Sequence, residues 1–215
     1  MKIFLTALVS ILVQFGLAIL GWGGFAAFFS HPPFVATAAG TVVALVVALF
    51  SHGNLSSGEH EDRRNRWVLA AFGVLALLGA YFSAYTDRIG FWTIDGEAAR
   101  WTGFALLVVG SIVRLWPVFV LGPRFSGLVA IQRGHQLVTT GIYGYVRNPS
   151  YLGMLVSAIG WALVFRAAVG ILIAVLLLIP LLARMRSEER LLAEYFGDEY
   201  ESYRARTWRL VPGIY

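Results

Sequence analysis

The chain has 215 residues, 58% of them apolar and 13% charged, with a mean hydropathy of +0.71. A soluble domain of this length could not bury so much apolar surface, so an ordinary water-soluble globule is excluded and a lipid solvent is implied. Cysteine is absent, which excludes disulfides, thiolate metal sites and a cysteine nucleophile; the formal charge of +5 is dispersed through loops between apolar stretches, as membrane orientation requires and nucleic-acid binding does not.

A membrane span needs about 20 mainly apolar residues, or about 17 when short. Six segments approach that length: Ile3 to Phe29, Phe34 to Phe50, Trp67 to Tyr85, Trp101 to Leu121, and a closing pair, Tyr151 to Phe165 and Ala168 to Ala183. The first is longer than the apolar region of a signal peptide and lacks a small-x-small cleavage site, so it reads as a retained span. His31-Pro32-Pro33 breaks the helix between the first two spans. Trp67, Tyr81, Tyr85, Trp92 and Trp101 fall near predicted span ends, where an interfacial aromatic belt is expected. The closing pair, separated only by Arg166 and Ala167, reads as a hairpin of short members. Placing both termini in the cytoplasm leaves thirteen basic residues inside and three, Arg88, Arg100 and Arg166, outside, with Arg114 within the fourth span. The expected class is therefore an all-α, polytopic transmembrane protein of about six membrane helices. Residues 1–100 supply the N-terminal transmembrane helices, and residues 101–215 a further transmembrane helix, a polar loop, the helical hairpin and an amphipathic tail.

Ser51 to Arg66 is polar, with His52, Glu59, His60, Glu61 and Asp62. No pair among them has a spacing that a rigid helix would turn into a chelate, so a solvated connector is expected and no metal. Gly122 to Ser150 is too polar to span and rich in glycine and aromatics. Leu137 to Tyr143 has extended, β-like character, Gly141 and Gly144 permit close backbone approach to a ligand, and Pro149 suits a first helical turn. A ligand pocket and a structural interfacial loop are both compatible with that pattern. In the tail, Leu191, Leu192, Tyr195 and Phe196 recur at helical spacing and mark an amphipathic helix opening at Arg184. Glu188 and Glu189 on it read equally as a solvated face or as a holder for a cationic group. Arg114 lies seven residues before Leu121, about 10 Å into its helix. Its charge there costs about 2 to 3 kcal/mol unless the side chain snorkels to the interface or meets an anion.

The order Arg114, Leu121-Gly122, Phe125-Ser126, His135-x-Leu137-Val138-Thr139-x-Gly141-x-Tyr143, Arg147-Asn148-Pro149-x-Tyr151-x-Gly153, Glu188-Glu189 and Phe196-Gly197-x-Glu199-Tyr200-x-x-Tyr203 resembles the isoprenylcysteine carboxyl methyltransferase family. That family groups with the phospholipid methyltransferases among integral membrane enzymes. The resemblance covers the last half of the chain. It implies an S-adenosylmethionine site, with S-adenosylhomocysteine as product, formed by a cytoplasmic loop and the C-terminal helix. It further implies that His135, Leu137, Val138, Gly141 and Tyr143 line the cofactor, that Asn148, Pro149 and Tyr151 continue the wall, and that Glu188 and Glu189 hold its polar end. Arg114 and Arg184 match arginines that position a substrate carboxylate. Asn148 stands where the eukaryotic pattern has histidine, so any role needing an imidazole is lost. The expected acceptor is a lipophilic small molecule or lipidated substrate in a bacterial cytoplasmic membrane, with membrane lipids as neighbours and no nucleic acid. A reductase of the sterol-reductase type using NADPH is the first rival. A transporter or non-catalytic scaffold is the second, though it would place its polar groups near mid-bilayer.

Overall fold

A computed structural model describes every residue except 1, 52, 53, 55, 59, 123, 124, 132, 133 and 135. Its helices are α1 (Lys2–Trp22), α2 (Phe25–Phe29), α3 (Pro32–Leu49), α4 (Trp67–Arg88), α5 (Glu97–Leu121), α6 (Pro149–Val164), α7 (Ala168–Leu176), α8 (Leu178–Phe196) and α9 (Asp198–Ala205). Among the described residues, five helical stretches are long and apolar enough to cross a bilayer, and α6 is a shorter apolar helix. The chain is a multi-pass integral membrane protein of all-α class.

Three expectations about the spans are corrected. Ile3 to Phe29 is not one helix: Gly23 and Gly24 take φ of 106° and 118°, values that suit glycine, and the chain breaks before the short α2. The closing pair is unequal. Helices α7 and α8 follow one another through Leu177, itself right-handed helical, so Ala168–Phe196 is a 29-residue stretch. The interruption sits where Pro180 offers no N–H to the carbonyl of Leu176. The amphipathic tail helix expected to open at Arg184 is accordingly the continuation of this last span.

Helices α5 and α6 run antiparallel at very close range because glycines face each other. A Cβ on Gly110 would lie 2.8 Å from the carbonyl oxygen of Gly153, and one on Gly160 would lie 2.6 Å from the backbone nitrogen of Leu107 and 2.7 Å from the carbonyl oxygen of Gly103. Small residues permit this approach, and packing drives helix association where both solvent and side chains are apolar. Backbone cannot yield as a side chain can, so Gly160→Leu is expected to separate the pair and to lower stability by about 1–3 kcal/mol or more. Thermal unfolding in detergent measures this, with Gly73→Leu, where a Cβ meets nothing within 4 Å, as the tolerated control.

The loops at one end of the bundle are zipped together, so Ser51 to Arg66 is not merely a solvated connector. Strand β1 (His60–Glu61) pairs antiparallel with β2 (Ala130–Ile131), and Asn54 bridges to Ser126. Asn54 and Ser56 add hydrogen bonds to Gly127 and Ser126 at 2.8 Å each. Among the described residues of the second loop, the only regular strand is thus β2. Gln136 to Thr139 carries none, and Gly141–Gly144 forms a 3-10 turn. Extended character is realised where a partner strand satisfies the backbone. Glu61 is held by Arg66 at 2.7 Å, and Asp62 by Ser187 and by Arg190 at 2.9 Å. The hydrogen bond from Ser187 is the largest influence lowering the Asp62 carboxyl from its ordinary range.

At the opposite end, Asp87 lies 2.5 Å from Arg100 and 3.0 Å from Arg166. Arg100 is 2% exposed, also donates to the Val164 carbonyl at 2.9 Å, and stands over the rings of Trp22 and Phe34. This buried knot joins the end of α4, the start of α5 and the turn between α6 and α7.

Candidate active site

At the zipped end a cavity of about 380 Å³ opens between the membrane helices and the polar loops. Its floor is apolar, from Leu69 and Phe72 of α4, Leu121 of α5 and Met154 of α6. Its polar wall comes from Arg114, the turn holding Tyr143, the start of α6, and the face of α8 that carries Arg184, Glu188 and Glu189. Residues from both halves of the chain therefore build it.

The C-terminal segment fixes the turn in place. Trp208 donates its backbone N–H to Tyr145 and accepts that of Arg147, each at 2.9 Å, while the Tyr203 hydroxyl donates to the Tyr143 carbonyl at 2.8 Å. Asn148 donates to the Arg209 carbonyl at 3.0 Å. Arg147 reaches the backbone of Arg204 and Thr207. Pro149 occupies the first turn of α6, as its sequence position implied.

Two carboxylates follow one another on α8 with different surroundings. Glu189 is 6% exposed and both of its oxygens are engaged: Oε1 accepts from Arg147 at 3.1 Å and Asn148 at 3.4 Å, and Oε2 pairs with Arg209 at 2.7 Å. Glu188 keeps a quarter of its side chain exposed, and its Oε1 accepts from the Tyr151 hydroxyl at 2.5 Å and lies 3.2 Å from Arg184. The same Tyr151 oxygen accepts from Arg184 Nε at 2.5 Å, and Arg184 also donates to the Gly127 carbonyl at 2.8 Å. Arg184 is thereby neutralised and 4% exposed. Arg114 differs: its residue is exposed at the cavity wall, and its guanidinium has no hydrogen bond or ion pair among the described residues.

Burial raises the phenols of Tyr143 and Tyr200 above their ordinary value and pushes Tyr203 up to about 12. All three are hydrogen-bond donors at neutral pH. Among the residues singled out from sequence, Arg114, Leu137, Val138, Tyr143, Asn148, Pro149, Tyr151, Arg184, Glu188 and Glu189 line the cavity. Gly141 does not; it opens the 3-10 turn at φ 61°. His135 lies outside the described residues. Sequence reasoning gave no role to Arg147, Arg209, Tyr200 or Tyr203. The two tyrosines stood in the final motif, and their spacing of three marks one helical face.

Comparison with known proteins follows the same half of the chain. Residues 102–194 match the model of the isoprenylcysteine carboxyl methyltransferase family. A protein-S-isoprenylcysteine O-methyltransferase of Schizosaccharomyces pombe is 36% identical over 142 residues, covering 64% of this chain and 54% of that protein. That of Dictyostelium discoideum is 29% identical over 144 residues, covering 66% and 61%, and that of Homo sapiens 32% over 116 residues, covering 53% and 41%. The chain thus spans about half of the length of the curated relatives it matches. A solved structure of the eukaryotic intramembrane Ras methyltransferase superposes with a TM-score of 0.48 at 18% identity, covering 99% of this chain and 86% of that one. The similarity to the isoprenylcysteine carboxyl methyltransferase family thus lies in residues 102–194, under half of the chain.

Proposed function

We propose that this chain is an S-adenosylmethionine-dependent methyltransferase acting on a lipophilic acceptor, a carboxylate by preference, at the membrane surface that carries the cavity. The observation that carries the reading is one cavity, apolar toward the bilayer and polar toward the loops, holding an unpaired guanidinium and a partly open carboxylate. Its volume lies within the range of roughly 300–1,000 Å³ common to small-molecule sites.

The residues fit the donor. Glu188 is the carboxylate with room for an α-ammonium group, and its hydrogen bond from Tyr151 fixes its direction. Glu189, with both oxygens committed, acts by holding Arg147 and Asn148 at the cavity wall. The hydroxyls of Tyr143 and Tyr200 offer donors to hydroxyl or ring-nitrogen groups. When bound, S-adenosylmethionine supplies a methyl group already activated on a sulfonium, so the protein has to align the two reactants and exclude water. Leu69, Phe72 and Met154 exclude water on the bilayer side. Arg114 orients an acceptor carboxylate through charge-assisted hydrogen bonds, with its negative oxygen presented as nucleophile. No proton has to be removed from a carboxylate, which agrees with the protonated tyrosines and the absence of an imidazole at Asn148. A dinucleotide phosphate would require a cluster of unpaired basic groups, whereas Arg184, Arg147 and Arg209 are all paired, so the reductase reading gains no support.

Glu188→Gln is expected to weaken S-adenosylhomocysteine binding about tenfold or more, the scale of one hydrogen bond to a charged group. Calorimetry on the purified protein in detergent measures it. Unchanged affinity would remove Glu188 from the donor site.

A further inference from the structure

Outside the cavity, the zipped end carries a band of arginines that the reaction does not use. The amide nitrogen of Asn65 reaches the carbonyl of Ala183 at 3.4 Å, so the turn Arg63–Arg66 and the stretch of α8 from Arg184 onward lie at one level. Trp67, half exposed, begins the apolar part of α4 directly beneath. Aromatic residues of this kind mark the headgroup region. Asp62 sits at the centre: it accepts from the backbone N–H of Arg64 at 3.0 Å and from Arg190 at 2.9 Å. Arg186 precedes Arg190 by one helical turn and shares its outward face. Arg63 is 82% exposed and reaches Glu61 only at 3.8 Å. Arg64 and Arg186 are exposed, and their guanidinium groups have no hydrogen bond or ion pair among the described residues.

We propose that Arg64 and Arg186, flanked by Arg63 and Arg190, form a binding site for the phosphate of an anionic phospholipid at the junction of α4 and α8. Two unpaired guanidinium groups at headgroup depth match a phosphodiester, which accepts their forked donors while its acyl chains lie along the apolar surface of α4 below Trp67. Arg190 and Asp62 hold the two elements together, so the site exists only when β1, the turn Arg63–Arg66 and α8 are assembled. Lipid occupancy therefore supports the side of α8 whose opposite face carries Arg184 and Glu188.

The test uses the full chain in detergent, with bound lipid counted by native mass spectrometry against phosphatidylglycerol, phosphatidylcholine and inorganic phosphate. Phosphatidylglycerol is expected to be retained in preference to phosphatidylcholine, and inorganic phosphate at millimolar concentration is expected not to displace it. The Arg64→Gln/Arg186→Gln double variant should lose roughly thirtyfold in affinity, taking about 1 kcal/mol for each basic group near the surface. Lysine at both positions should keep only part of the binding, since the charge remains and the fork is lost, and Arg88→Gln at the other end should change nothing. Equal retention of the two lipids, or an unaltered double variant, overturns the proposal. Displacement by inorganic phosphate alone overturns the assignment to lipid.

Discussion

Replacing Arg114 by alanine is expected to lower turnover by about a hundred- to a thousandfold, the usual loss on removing one prearranged donor to a reacting oxygen, while S-adenosylhomocysteine affinity changes little. The expectation follows from the free guanidinium: nothing in the described protein occupies it, so its charge is available to a ligand. It stands on α5, whereas the carboxylate assigned to the donor, Glu188, stands on α8. Arg114→Lys should recover only part of the rate, because an ammonium keeps the charge and loses the fork. Calorimetry and single-turnover methylation, performed on the same preparations, separate the outcomes. Loss of donor binding together with turnover would assign Arg114 to the fold, and normal turnover would remove it from the acceptor site.

The largest effect on stability is expected at the other end of the bundle, from Asp87→Asn. That change leaves Arg166 beside a neutral amide and leaves Arg100, only 2% exposed, with the solvent-exposed Glu97 at 3.0 Å as its remaining carboxylate. Breaking a buried pair by neutralising one partner costs about 3–5 kcal/mol, because the remaining charge stays out of water. The variant should unfold at distinctly lower temperature in detergent, and Arg100→Met in the same background should recover part of the loss. An unaltered melting temperature for Asp87→Asn would show that the knot carries little energy.

The membrane-spanning regions were legible because hydropathy over about 20 residues is a local property. The break at His31-Pro32-Pro33 and the start of α6 at Pro149 were legible for a similar reason, since proline fixes backbone torsion and removes a donor, although the prolines open α3 rather than precede it. Local signals failed where two effects competed. The apolar run to Phe29 hid the break at Gly23-Gly24, and the change from apolar to polar residues at Arg184 hid the continuity of α8 through that point. Pairing between β1 and β2 is invisible in either segment alone, since two residues of strand have no period of their own. At the site, the residue types at the cavity wall were legible as a resemblance, but their division of labour was not. Glu188 and Glu189 are chemically identical neighbours, and only the approach of Arg147 and Arg209 from distant segments distinguishes the committed carboxylate from the open one. Arg147 stood beside Asn148-Pro149 in the motif without a role because its partners lie about 40 and 60 residues away.

The most direct measurement is calorimetric titration of the purified, detergent-solubilised protein with S-adenosylhomocysteine. Saturable binding at one site, weakened by Glu188→Gln and nearly unaffected by Arg114→Ala, is the expected result. No heat of binding at millimolar ligand, with the protein shown to be folded, would contradict the assignment of the cavity to a sulfonium donor.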